Sequence, residues 1–219
     1  MKHKNTRFGS SLPYDAKQKN NNNKVKTNDE NGAESCEDDS DDESVISIGN
    51  KIYFYSRINS MSILVLNKKI QRIGSDILHF SIEQGIEPFP IFLYINSPGG
   101  AVTDGLLGMD IIQNSRVPIH TVIQGEAASA ATFLSVVGKK RFMHKNSVML
   151  IHALSQMMYG NYYNLEDEFA NCKILMQIMK DIYQKNTKMP LKKIEELLRH
   201  DLLLDSKTCL KFGLVDEII

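Results

Sequence analysis

The chain has 219 residues, enough for one domain of ordinary size with length to spare. Lysine plus arginine and aspartate plus glutamate balance at 26 each, so the chain lacks the basic excess that marks a nucleic-acid binder. Cys36, Cys172 and Cys209 fit neither a disulfide framework nor a CxxC metal or redox motif and point to a reducing, cytoplasmic or similar intracellular compartment. No apolar run nears the roughly 20 residues a bilayer requires, and the N-terminus lacks the apolar stretch of a secretory signal, so no membrane partner is expected.

Residues 1–44 are poor in apolar side chains and carry an asparagine run at 20–23 followed by an acidic cluster at 34–43. Such a stretch buries too little apolar surface to offset its chain entropy and is expected to be a disordered, low-complexity acidic tail. The acidic cluster argues against an organelle transit peptide despite early basic residues such as Lys2 and Arg7. A folded domain is expected over 45–219.

It opens with β-structure around Val45 to Phe54, broken by Gly49-Asn50. Ser60 or Ser62 then caps a helix whose apolar residues Ile63, Leu66, Ile70, Ile73, Ile77 and Phe80 recur at three and four, and Pro88 and Pro90 end that unit. Ile91 to Ile95 is a short continuous apolar run, the mark of a buried parallel strand. Further elements are expected as a helix near 104–114, a strand at 119–123, a helix from about 128 to 137 and a strand at 148–152. A long helix at about 165–186 with Leu165, Phe169, Cys172, Leu175, Met179 and Ile182 on one stripe, a short one opened by Pro190, and a last one capped by Asp205 and ended by Gly213 complete the chain. Strands alternating with helices imply right-handed βαβ units and an α/β fold.

Four places carry chemistry-bearing residues. Asn96-Ser97-Pro98-Gly99-Gly100 follows the buried strand with two glycines, which permit positive φ and a close backbone approach; a plain tight turn is the simpler account. Ser129 stands where a strand gives way to a helix, a place for a nucleophile or equally for a cap. His152 ends an apolar strand, and Asp201 follows Arg199-His200 before an apolar run. Singly these are ordinary structural residues. Together they supply the serine, the histidine that takes its proton and the carboxylate that fixes the tautomer.

With these residues in view, the chain resembles the proteolytic subunit of the Clp protease, within the wider ClpP and crotonase fold. The resemblance rests on YINSPGG at 94–100, GEAASAATFL at 125–134, SVMLIHA at 147–153, PLKKIEELLRHD at 190–201 and FGLVDEI at 212–218, in that order, over roughly 51–219. It implies a stack of βαβ units with a protruding helical handle formed by the long helix. It also implies serine endopeptidase activity with Ser129 as nucleophile, His152 as base and Asp201 as the orienting acid. The backbone N–H groups of Gly100 and Ala130 become oxyanion donors, and Pro98, Gly99 and Ala153 flank a substrate strand. The expected partners are polypeptides, further copies of the chain in a heptameric ring or double ring, and an AAA+ unfoldase that supplies ATP hydrolysis; no GxxxxGK[ST] phosphate loop occurs here. Neither metal nor organic cofactor is expected.

The chain departs from that pattern in places. Ala130-Ala131-Thr132 replaces the usual Met-Gly-Ala, residues 153–160 replace a His-Gln-Pro continuation and a glycine-rich strand, Arg199-His200 replaces an Asp-Arg pair, and the N-terminal axial loop is missing. Three rival readings follow: a catalytically weak structural subunit of a mixed ring, a crotonase-type enzyme acting on a thioester, and a Ser-Lys peptidase using Lys139 or Lys140.

Overall fold

A computed structural model of the chain describes residues 44–219. The expected acidic tail lies outside the described residues except for Ser44. The described chain is α/β. Strands β1 (Val45–Ile48) and β2 (Lys51–Phe54) form an antiparallel hairpin. β2 then pairs in parallel with β3 (Ile91–Ser97), and β3 in parallel with β4 (Ile119–Ala128). Crossovers run through helix α1 (Ser60–Gln84) and helix α2 (Val102–Gln113). Ile91, Leu93 and Ile95 of β3 are wholly buried, and α1 contributes Ile63, Leu66, Ile70, Ile73 and Ile77 of the expected apolar stripe to the same core, while Phe80, expected on that stripe, is exposed.

The cap of α1 is Asn59 and not a serine. Its side-chain oxygen accepts the Ser62 N–H while the Ser62 hydroxyl accepts the Asn59 N–H, a reciprocal pair that makes Ser62 the N3 partner of the cap. The helix stops at Gly85, which takes the left-handed conformation, three residues before Pro88.

β4 is twice as long as the sequence suggested, and the excess decides where the site lies. Its first part, Thr121 to Ile123, pairs with β5 (Arg141–Met143). Its last part, Glu126 to Ala128, pairs instead with β6 (Val148–Leu150). The change of neighbour falls at Gly125, whose φ of 93° favours glycine. The register to β3 also slips there, and the Asn96 side-chain oxygen accepts the Glu126 N–H. This irregularity turns the end of β4 away from β5 and places its last residues between β3 and β6.

Helix α3 (Ala131–Val136) is buried at every residue. Helix α4 (Tyr162–Asn186) has 25 residues, about 37 Å of helix, yet buries only Met179, Ile182 and Tyr183, all toward its C-terminal end. Its first half is exposed and projects from the core as the expected handle. Pro190 caps α5 (Leu191–Leu197), strand β7 (Leu203–Asp205) returns antiparallel to β6, and Asp205 caps α6 (Ser206–Lys211) by accepting the Thr208 N–H. β8 (Glu217–Ile218) closes on β5. Arg141 ties this end together: its guanidinium donates to the Asp216 carboxylate and to the carbonyls of Asn186 and Gly213. That pairing holds the Asp216 carboxyl below its ordinary range, chiefly through the Arg141 hydrogen bond.

Candidate active site

β3 ends in a turn whose backbone groups are almost fully accounted for. The Gly99 N–H donates to the Ser97 hydroxyl, its carbonyl accepts the Ile58 N–H, and the Ala101 N–H donates to the Ile58 carbonyl. Gly100 thus lies bridged to Ile58 in the segment between β2 and α1. A Cβ on Gly100 would sit 2.0 Å from the Ile58 carbonyl oxygen, and one on Gly99 would sit 2.5 Å from the Ala128 carbonyl oxygen. The paired glycines let three chain segments meet where no side chain fits.

Ser129 follows β4 directly and does not lie in a helix, contrary to the expectation of a helix from 128. It has a φ of 53°, and it is the one described non-glycine residue with positive φ. Strain of this kind persists only when the surroundings fix it. The Ser129 N–H donates to the Leu150 carbonyl, and its own carbonyl accepts the Thr132 hydroxyl at 2.6 Å. Ala127, Ala128, Ala130 and Ala131 around it are buried. Thr132 has spent its proton on Ser129, so the buried Tyr183 hydroxyl, 2.6 Å away, donates to Thr132. Burial pushes the Tyr183 phenol well above its ordinary range, and the Thr132 contact only partly offsets this. With the neighbouring amides engaged, the N–H groups of Gly100 and Ala130 remain without an acceptor among the described residues.

His152 and Asp201 meet through strand register. In the β6–β7 ladder Leu150 faces Leu203 and Met149 faces Leu204. Continuing that antiparallel register two residues beyond the strand ends sets His152 opposite Asp201. The His152 Nδ1 lies 2.9 Å from Asp201 Oδ1. The strand expected at 148–152 stops at Leu150, so both residues stand just outside the sheet. The histidine side chain is 27% exposed and the aspartate 78%.

Ser129 and His152 line one cleft of about 430 Å³, together with Pro98, Gly100 and Ala153. Thus five of the eight expected site residues line the cleft, with Asp201 reached through His152 and Ala130 buried next to Ser129. Gly99 shapes the turn from the buried side without lining the cleft. The sequence reading did not include Arg57, or Leu175 and Met179 of α4, which also line the cleft. Arg57 sits in an irregular link and gives no periodic signal; the α4 residues were visible as a stripe, but nothing local said what that stripe would face. Among the described residues no group of three or more His, Cys, Asp or Glu is placed to hold a metal ion, and no helix is long and apolar enough to cross a membrane.

The family model described as Clp protease matches residues 46–219. It spans every element from the first hairpin to β8 and so includes all of the site residues.

Proposed function

The chain belongs to the Clp protease family, and from that premise we propose that it is a serine endopeptidase in which Ser129 attacks the peptide carbonyl. In this reading His152 takes the serine proton and later returns it to the leaving amine, while Asp201 holds the imidazole with Nδ1–H toward the carboxylate. The observation that carries it is the 2.9 Å contact between His152 Nδ1 and Asp201, made beside a strained serine in the same cleft. That contact leaves Nε2 as the nitrogen available to a serine. The tetrahedral oxyanion is bound by the N–H groups of Gly100 and Ala130. Pro98 and Ala153 border the path of a substrate backbone lying as an added strand.

A fluorophosphonate probe tests the reading directly. It should label Ser129, and Ser129→Ala should lose both labelling and peptide cleavage. Labelling at another serine, unchanged in Ser129→Ala, would overturn the assignment.

The exposed first half of α4, with Tyr162, Tyr163 and Phe169 largely in solvent, supports assembly into rings through that helix. ATP dependence then comes from a separate unfoldase partner. The domain proper is taken as 45–219, within a reducing cytoplasmic setting. One feature supports a second reading, a weakly active subunit of a mixed ring: an aspartate 78% exposed competes with water for its histidine. Activity of the chain assembled alone separates the two.

A further inference from the structure

Arg57 brings a full positive charge to a cleft whose lining contains no aspartate or glutamate. Its backbone is fixed, because its carbonyl accepts the Ser62 hydroxyl at 2.8 Å and the next residue, Ile58, is bridged to Gly100. Arg57 is therefore carried on a fixed stretch of backbone, next to the residue bridged to the glycine turn, and it lines the same cleft as Ser129 and His152. Among the described residues it has no carboxylate within ion-pair distance. The lining also includes Leu154, Leu175 and Met179, which neither neutralise it nor offer it a charged acceptor. A cation so placed at the edge of a partly apolar cleft attracts an anion, and the planar fork of arginine matches a carboxylate with two parallel hydrogen bonds.

We propose that Arg57 is a specificity residue that selects peptides bearing a carboxylate close to the scissile bond. The inference rests on the peptidase reading for its site and adds the class of substrate. The carboxylate can come from an aspartate or glutamate side chain or from a free C-terminus, and both present the same group to the guanidinium. Arg57 binds the peptide away from the reacting atoms, and its effect falls on discrimination between substrates.

Two matched peptide series decide the matter on the full-length protein. In one, Asp replaces Asn at each of the three positions on either side of the cleaved bond; in the other, a free C-terminal acid replaces the amide. Both kcat/KM of the wild-type chain and equilibrium binding to Ser129→Ala, read by fluorescence anisotropy, are measured. One acidic position should be favoured about tenfold or more over its amide. That preference should weaken as salt rises, disappear in Arg57→Gln, return in part in Arg57→Lys, and reverse toward the amide in Arg57→Glu. A preference confined to the second series identifies the C-terminus as the source. Equal handling of acid and amide throughout, or a preference that survives Arg57→Gln, overturns the inference. Turnover without discrimination would leave the peptidase reading standing and remove this one. Discrimination in binding without turnover would do the reverse, and no binding by either series at millimolar peptide would remove both.

Discussion

The two halves of the site are held in different ways. The serine half is set into the core: Ser129 has buried alanines on both sides, its carbonyl is tied through Thr132 to Tyr183, and the glycine turn packs against it with no room for a methyl group. The histidine half stands on the rim, where the pairing of His152 with Asp201 depends on two residues beyond the ends of a short strand ladder. Strain is affordable in the first half because packing over-determines it. The second half is positioned by register and one side-chain hydrogen bond, and its aspartate remains open to solvent.

If that contrast is right, substitutions in the serine half should cost stability as well as activity, and those in the histidine half activity alone. Gly100→Ala is expected to have the largest effect on stability. A Cβ placed 2.0 Å from the Ile58 carbonyl oxygen, at a φ of 157°, forces the turn to move. A loss of about 2–3 kcal/mol, seen in urea unfolding, should accompany the loss of cleavage. An unchanged midpoint would show that the turn is softer than its contacts suggest.

Thr132→Val comes next. It removes the acceptor of the buried Tyr183 hydroxyl and the donor to Ser129, and an unsatisfied buried hydroxyl costs about 1–3 kcal/mol. Adding Tyr183→Phe to it should cost less than the sum of the two single changes, since the orphaned hydroxyl leaves with the ring oxygen. Strict additivity would mean that the two hydroxyls do not act as a unit.

Asp201→Asn should have the smallest effect on stability and still be severe in function. With its side chain 78% exposed, its replacement should leave the thermal midpoint within about a degree. Cleavage should fall by about a hundredfold or more as the histidine loses its preferred tautomer. A large fall in midpoint would place Asp201 among the structural residues and blur the contrast between the halves.

The same contrast explains what could be read in advance. The β3 strand and helices α1 and α4 announced themselves by apolar runs and periodic stripes, because burial on one face leaves a pattern in the residues themselves. The four chemistry-bearing places were legible from residue type, and the family resemblance joined them. The conformation of Ser129 was not legible: alanine-rich sequence favours a helix, and only the tertiary packing of β4 against β6 keeps residue 129 out of one. Strands β5 and β7 were passed over because three residues carry no period, and their pairing partners lie far away in the chain. Asn59 was missed as a cap because serines at 60 and 62 offered the same chemistry nearby.

The β6–β7 register also has a consequence in time. Asp201 is 72 residues further along the chain than Ser129 and meets His152 only when β7 zips onto β6. At the ordinary pace of synthesis, about 5–20 residues per second, roughly 4–14 s separate the two. A nascent chain therefore passes through a stage in which the serine, the glycine turn and their amides have left the ribosome while the carboxylate has not. The site is completed near the end of translation, after most of the protein that it would otherwise meet in its own unfolded stretches has already been built into the sheet.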